Sequence, residues 1–287
     1  MRSVLVLTFL VFTCTLRAIP LAGAWETFPS RTNADAWTLY SYNDGIFAPP
    51  PWAGPETDAN PYVYSYFAGG AGVWFFADGF TARGAFVGNY ATQKISGVDV
   101  SVNVDPAEID FIDLAVHADG PLGPGYYYSQ IRGPENLGMM PDWYKLSFSF
   151  KNNWFSLRSG TYTPFQPGPA FLASIREIGV RIFPVPGVTV ASFVGVDDFI
   201  LVPTTEAPPL STSISGGNFV LGFTPGPGLS ATIQKLAPDF QWGNVAGQSD
   251  LTGAQAFTRP VGAGTALFRV AAREKLTQVT SPLIDSE

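Results

Sequence analysis

The chain has 287 residues, of which 46% are hydrophobic, and its 16 basic and 23 acidic side chains give a net charge of −7. An acidic chain without a basic cluster is a poor binder of nucleic acid or of anionic membrane surfaces. The 30 glycines and 25 prolines exceed the usual share, yet the hydrophobic content is too high for a disordered chain. Many aromatic residues among many turn formers predict an all-β protein.

The N-terminus has the three parts of a secretory signal. Arg2 precedes an apolar run from Val4 to Leu16, and Ala22-Gly23-Ala24 offers small residues for cleavage. Arg17 interrupts the run well short of the roughly 20 apolar residues that a membrane anchor needs. We predict a signal peptide at residues 1–24 and a secreted, periplasmic or cell-surface protein.

Cys14 is the only cysteine and lies inside the predicted signal. A lipoprotein would use it, but Val11-Phe12-Thr13 lacks the small residue that lipid attachment needs just before the cysteine. The mature chain would therefore have no disulfide, no thiol nucleophile and no thiolate metal site. Without Arg2 and Arg17 its net charge is about −9, and no later segment is long and apolar enough to span a bilayer.

Strand-like runs separated by turn signals follow the signal. Valines alternate with polar residues from Gly97 to Val104, which is typical of a half-buried strand, and apolar residues alternate with polar ones from Tyr144 to Phe150. Further strands are predicted at 62–67, 73–76, 111–116, 154–157, 178–183 and 194–202.

A proline-rich segment then divides the chain. Residues 204–212 include Pro208 and Pro209 and follow Pro203, which favours an extended linker between a first domain at 25–203 and a second set of strands. Strands are predicted at 218–223, 229–236, 256–259 and 266–271, within a small β module at 213–272. Residues 273–287 form a polar tail that we expect to be loosely held.

Several motifs of the first domain occur in a familiar order. Gly88-Asn89-Tyr90-Ala91, Ile95–Val100, Asp113–Val116, Asp142–Phe148 and Val194–Leu201 together resemble the galactose-binding-like jelly rolls, and among them the laminin-B-like modules of secreted bacterial proteins. The segment from Ala231 to Val270 is similar to small fibronectin-type-III-like modules. These resemblances imply a jelly-roll β-sandwich followed by a small second β module, and they imply binding or surface display rather than catalysis.

The resemblance also implies a structural calcium site. In such jelly rolls the last strand lies beside the first, and acidic residues there often hold the ion. Asp197 and Asp198 are the candidates in the last strand, with Glu26 as their partner in the first. Calcium takes six to eight oxygen ligands, which suits carboxylates from separate strands. The alternative is that the aspartates only polarise an edge or a turn.

One string resembles a catalytic signature. Glu108-Ile109-Asp110-Phe111-Ile112-Asp113 is similar to the Glu-x-Asp-x-x-Glu motif of laminarinase- and carrageenase-type glycoside hydrolases, with Glu108 as nucleophile and Asp113 as acid/base. Retaining hydrolysis needs two carboxyl groups about 5–5.5 Å apart. However, Asp113 is one methylene shorter than the motif requires. The laminin-like register instead places Glu108 and Asp110 in a turn and Asp113 facing solvent.

His117 is the only histidine. With no Gly-x-Ser-x-Gly elbow and no mature cysteine, neither a serine-hydrolase triad nor a zinc site is predicted. We expect His117 to be a loop residue at a strand end.

Aromatic residues are the best binding candidates. Tyr126 and Tyr127 follow a Gly/Pro loop, Trp52 lies among prolines, and Trp143 lies opposite Tyr144 in an alternating strand. Sugar rings have apolar C–H faces that stack on exposed tryptophan and tyrosine. The alternative is that these rings cap the ends of the core.

The sequence thus favours a non-catalytic protein that recognises a glycan or an extracellular matrix component through loop aromatics, with calcium as a structural ion. A structural or surface-display protein is the second interpretation, and a jelly-roll glycoside hydrolase is the third.

Overall fold

The computed structural model describes residues 20–54, 60–67, 71–78, 85–129, 133–137, 142–158, 161–187, 192–205, 208–237, 241–260 and 268–278. Residues 1–19, most of the predicted signal peptide, lie outside these ranges. Within them, no helix is long and apolar enough to cross a membrane.

The described chain is almost entirely β, as predicted. Its short helices are α1 (Arg31–Asp35) and α2 (Pro169–Leu172). The strands are β1 (Ala24–Glu26), β2 (Thr38–Ser41), β3 (Phe47–Ala48), β4 (Trp52–Ala53), β5 (Tyr62–Tyr66), β6 (Val73–Asp78), β7 (Ile95–Val104), β8 (Ile109–Gly120), β9 (Gly123–Tyr128), β10 (Asp142–Ser149), β11 (Trp154–Arg158), β12 (Thr161–Phe165), β13 (Glu177–Pro184), β14 (Phe193–Pro203), β15 (Leu210–Ser215), β16 (Asn218–Phe223), β17 (Leu229–Leu236), β18 (Trp242–Asn244), β19 (Gln255–Pro260), β20 (Phe268–Glu274) and β21 (Thr277–Gln278).

Two large sheets form a sandwich. The first sheet has the order β10-β7-β14-β1-β21, and β5 pairs with the first half of β14 and with β4. The second sheet has the order β12-β11-β9-β8-β13-β6-β2-β3. The last long strand, β14, lies antiparallel to the first, β1.

Strand periodicity explains how the sheets pack. Val98, Val100 and Val102 of β7 are fully buried, and the polar residues between them are partly exposed. One continuous apolar core lies between the sheets and includes Trp37, whose ring contacts Phe199 edge to face at 4.9 Å. The predicted alternation in β7 is therefore confirmed.

The C-terminal strands form two three-stranded sheets, β15-β16-β19 and β18-β17-β20. Leu221, Phe223, Ala231 and Ile233 form their small core. Two boundaries differ from the prediction. Strand β15 begins at Leu210, inside the predicted linker, and β20 continues to Glu274, inside the predicted polar tail. Beyond it, β21 pairs in parallel with β1 of the first sheet.

Candidate functional site on the second sheet

The outer face of the second sheet carries aromatic and charged residues in cross-strand rows. Side chains alternate between the two faces of a strand, so residues next to core positions point outward. One row runs from Glu177 of β13 through His117 of β8 to Tyr126 of β9. We call these three residues the polar row.

The polar row is held together by direct contacts. The Tyr126 hydroxyl donates a 2.8 Å hydrogen bond to Oε2 of Glu177, and His117 Nδ1 lies 3.5 Å from Glu177 Oε1. The His117 and Tyr126 rings lie 4.9 Å apart with a 30° tilt. Tyr126 is 42% exposed. Burial and then the Glu177 carboxylate raise the Tyr126 pKa well above its usual value, so the hydroxyl stays a donor at neutral pH.

A second row makes room for large rings beside the polar row. Gly179 of β13 and Ala115 of β8 are neighbours, between Phe76 of β6 and Tyr128 of β9. A Cβ on Gly179 would collide with Phe76. The small centre lets Trp74 stack on Phe76 at 4.0 Å, with the Trp74 ring 5.4 Å from that of Tyr126.

Trp74 leaves one polar atom unsatisfied. The residue is only 5% exposed, and its Nε1 is buried without a hydrogen-bond acceptor in the described part of the chain. A buried donor without a partner costs about 1–3 kcal/mol. The Trp74 ring lies between those of Phe76, on which it stacks, and Tyr126, which it meets edge to face.

A buried ion pair supports the other side of this face. Arg181 of β13 donates from Nε to Asp113 Oδ1 at 2.8 Å and from Nη2 to Asp113 Oδ2 at 2.5 Å. The guanidinium carbon lies 3.8 Å from the centre of the Tyr128 ring. Burial raises the Asp113 pKa, and the two hydrogen bonds from Arg181 oppose that shift.

The predicted catalytic arrangement does not form. The laminin-like register places Asp113 in solvent, but Asp113 is fully buried, and both of its oxygens bind Arg181. Glu108 ends a 3₁₀ turn at Pro106–Glu108, and Asp110 is exposed at the start of β8. Glu108 therefore lies in a turn, as the laminin-like register has it, whereas Asp110 lies in strand β8. A carboxylate held at both oxygens by arginine is not an acid/base, so the glycosidase interpretation of Asp113 is wrong.

The four predicted aromatic contacts do not share one surface. Only Tyr126 lies on the second-sheet face. Tyr127 is 2% exposed in the core because strand alternation turns it inward, and its hydroxyl donates to Gly123 O at 2.6 Å. Trp52 packs against the core and donates from Nε1 to Phe28 O at 2.8 Å. Trp143 lies on the outer face of the first sheet, where its ring contacts Tyr62 at 5.3 Å.

The three predicted metal ligands lie where β1 meets β14. Glu26 is fully buried, and its Oε1 accepts hydrogen bonds from the Phe28 N–H and the Asn33 amide, each at 2.9 Å. Asp197 Oδ2 accepts a hydrogen bond from the Asn60 amide at 2.9 Å. The register of β14 against β7 shifts after Asp197, and Asp198 adopts a left-handed conformation with φ of 49°.

Burial raises the pKa of Asp197 to about 7, and the nearby carboxylates of Asp198 and Glu26 add to the shift. Asp197 Oδ1 is buried without a hydrogen-bond donor in the described residues. Asp198 instead accepts hydrogen bonds from Trp25 Nε1 at 2.8 Å and Ser101 Oγ at 3.1 Å. Buried carboxylate oxygens suit a hard cation, so the chemistry of Glu26 and Asp197 fits calcium. No cluster of three or more His, Cys, Asp or Glu side chains able to hold a metal occurs in the described ranges, so further ligands would have to be other oxygen atoms.

Sequence reasoning missed Glu177, Arg181 and Trp74. An available signal was the charge of Arg181 inside the apolar run 178–183, because an arginine in a buried strand requires an acidic partner. Alternation from Arg181 also places Gly179 and Glu177 on the same face. Asp113 occupies the equivalent position inside the apolar run of β8.

No protein-family model matches the chain, and no curated protein matches it. Among solved structures, it is similar to a β-1,2-glucanase from Parabacteroides distasonis at 15% identity and TM-score 0.35, over 87% of this chain and 37% of the glucanase. It is also similar to a family 11 carbohydrate-binding module from Clostridium thermocellum, in complex with a β-1,3-1,4-mixed-linked tetrasaccharide, at 12% identity and TM-score 0.37, over 60% of this chain and 91% of the module. A β-D-glucuronidase from Dictyoglomus thermophilum is similar at 8% identity and TM-score 0.24, over 83% of this chain and 42% of the enzyme. The chain thus spans little more than a third of the glucanase, and these likenesses concern the fold alone.

Proposed function

We propose that this protein is an exported, non-catalytic binding protein that holds a glycan on the outer face of the second sheet. The observation that carries the proposal is the polar row, where the exposed ring of Tyr126 stands beside a carboxylate and an imidazole. The apolar face of a sugar ring stacks on such a ring, and its hydroxyls need donors and acceptors at the ring edge.

The polar row offers that combination. Glu177 and His117 are 22% and 27% exposed at their side chains, so both can exchange their present contacts for hydroxyl groups. The Arg181–Asp113 pair keeps this part of the sheet in one arrangement, because each partner is a buried charge that needs the other.

We also propose the domain assignments and the export that the sequence predicts. The first domain is a jelly roll of the galactose-binding-like class, the C-terminal strands form a fibronectin-like module, and the signal at 1–24 directs export. Glu26 and Asp197 would hold calcium, which would supply a positive charge beside their buried carboxylate oxygens. This ion fixes the junction of the first and last strands and takes no part in glycan contact.

Affinity electrophoresis through gels containing soluble polysaccharides tests the function. A panel of β-1,3-1,4-glucan, β-1,2-glucan, xylan, galactan and dextran covers the main neutral backbones. We expect at least one to retard the wild-type protein and to retard Tyr126→Ala less, by the share of binding that the polar row contributes. Ile214→Ala is the control, because Ile214 is 73% exposed on β15, in the C-terminal strands. Equal retardation of wild type and Tyr126→Ala would exclude this face as the site. Release of reducing sugar from a retarding glycan would show an enzyme instead.

A further inference from the structure

The outer face of the first sheet carries a second aromatic surface. Trp143 of β10, Asn103 of β7, Gly195 of β14 and Tyr64 of β5 lie in one cross-strand row. The valines next to these positions point into the core, so the row faces outward. Aromatic neighbours extend the row to a band of five rings, which we call the first-sheet band: Tyr62, Tyr64, Tyr66, Trp143 and Phe193.

The rings of the first-sheet band form a continuous contact chain. Trp143 contacts Tyr62 at 5.3 Å, and Phe193 stacks on Tyr64 at 5.8 Å with a 27° tilt. Phe193 also contacts Tyr66, which is 52% exposed. The three tyrosines occupy alternate positions of one strand, so they extend over about 13 Å at 3.3 Å per residue. This length exceeds that of a single sugar ring and suits a short stretch of chain.

Gly195 sets the depth of this surface. A Cβ at Gly195 would lie 3.2 Å from the Trp143 ring, 3.2 Å from Asn103 Cβ and 3.3 Å from the Phe193 ring. Because Gly195 has no side chain, the Trp143 and Phe193 rings pack directly against the backbone of β14. The surface is therefore shallow, and the Asn103 side chain lies beside it.

The charges near the band indicate its ligand. Lys145, two residues after Trp143 on β10, forms a 2.9 Å salt bridge with Asp99, so this pair has no net charge. Asp197 of β14 lies in the next cross-strand row, opposite Ser101, but its side chain is only 1% exposed and its Oδ2 accepts a hydrogen bond from the Asn60 amide. Strand β5 contains no charged residue. Flat rings with phenol hydroxyls, one amide and no net charge suit a neutral polar ligand that has apolar faces. A neutral pyranose chain has this character, whereas a charged peptide or an acidic polysaccharide would find no counter-charge in the band.

Resting on the proposed function, we propose that the first-sheet band is a second binding surface for a neutral glycan chain, independent of the polar row. The two surfaces lie on opposite outer faces of a sandwich whose sheets pack about 10 Å apart. One short chain therefore cannot occupy both, and a single protein molecule can hold two polysaccharide chains together. Such a protein acts as a cross-linker of a neutral glycan matrix.

Titration calorimetry with an oligosaccharide of the retarding glycan tests the proposal by stoichiometry. We expect the wild type to bind two oligosaccharide molecules per protein molecule. Trp143→Ala and Tyr126→Ala should each bind one, and the double variant should bind none. Tyr66→Ala and Gly195→Ala provide milder changes, the first at an exposed ring and the second by lifting the Trp143 ring. Both should weaken the first-sheet site at least threefold and leave the second-sheet site unchanged. Trp143→Phe, which keeps a ring, should retain most of the binding.

The outcomes separate the two proposals. One equivalent in the wild type that only Tyr126→Ala removes would overturn the second surface and support the first. One equivalent that only Trp143→Ala removes would overturn the polar row and leave the first-sheet band as the site. No binding of any panel glycan would overturn both. Sedimentation adds a further check, because a wild-type dimer that Tyr66→Ala dissociates would make the band a self-association surface instead of a glycan site.

Discussion

Arg181 and Asp113 face each other across β13 and β8 and form a two-point ion pair that is almost fully buried beneath Tyr128. This pair lies on the outer face of the second sheet, outside the apolar core. Because the pair lies on this outer face, two charged residues can occur within two apolar strands. The pair packs beneath the aromatic residues of the candidate site.

Removal of one partner of this pair should be costly. We expect Asp113→Ala to lower the free energy of unfolding by about 3–5 kcal/mol, because Arg181 is left as a buried charge without its partner. Urea unfolding measures the change. Asp119→Ala is the matched control, since its salt bridge with Arg176 is exposed and should contribute less than about 1 kcal/mol. The double variant Asp113→Leu/Arg181→Met should lose less free energy of unfolding than Asp113→Ala. A loss in the double variant equal to the sum of the losses in Asp113→Leu and Arg181→Met would contradict this explanation.

Asp197 should make stability depend on pH when calcium is chelated. Its folded pKa of about 7 lies above the ordinary value of 3.8, so the folded state binds a proton that the unfolded state has released. The free energy of unfolding should therefore fall as pH rises from about 4 to about 7, by up to about 4 kcal/mol. Urea titrations in EDTA at several pH values measure this slope. Asp197→Asn should flatten it, and an unchanged slope in that variant would assign the effect to other groups.

Calcium held by Glu26 and Asp197 should stabilise the folded protein. At pH 7.5 we expect added calcium to raise the melting temperature of the EDTA-treated protein by several degrees, since ligand binding to the folded state alone stabilises it. Asp197→Asn should lose most of this increase. Magnesium is the control, because it prefers octahedral geometry with retained water and should act more weakly. No calcium binding by calorimetry and no thermal shift would exclude the site.

Export predicts a defined N-terminus. We expect N-terminal sequencing of the secreted protein to begin at Trp25. Cleavage after Ala24 should lower the stability of the fold, because Ala22 is buried and the Gly23 N–H donates to Leu201 O at 2.8 Å. Residues 25–287 should therefore unfold at a lower urea concentration than residues 21–287. A secreted chain that begins at any residue before Trp25 would show that cleavage occurs upstream of the predicted site.

The fold was largely predictable, and the site only in part. Alternation in Gly97–Val104 correctly gave the core face of β7, because a sheet with one buried face fixes the period of its residues. The same alternation places Tyr127 and Tyr126 on opposite faces of β9. Alternation alone does not say which of the two faces is buried, so it did not identify Tyr126 as the exposed ring. Contacts between distant strands, such as Glu177 with Tyr126, depend on the order of strands in the sheet, which local sequence does not determine.

In the proposed function, Tyr126 and its polar row bind a glycan. The most direct test of this binding is calorimetric titration of wild type, Tyr126→Ala and Glu177→Gln with the oligosaccharide that the wild type binds, in a background where Trp143→Ala removes the first-sheet band. We predict a single site in that background, weakened roughly tenfold or more by Tyr126→Ala and several-fold by Glu177→Gln. Unchanged affinity in both variants, with their folding intact by circular dichroism, would contradict the account.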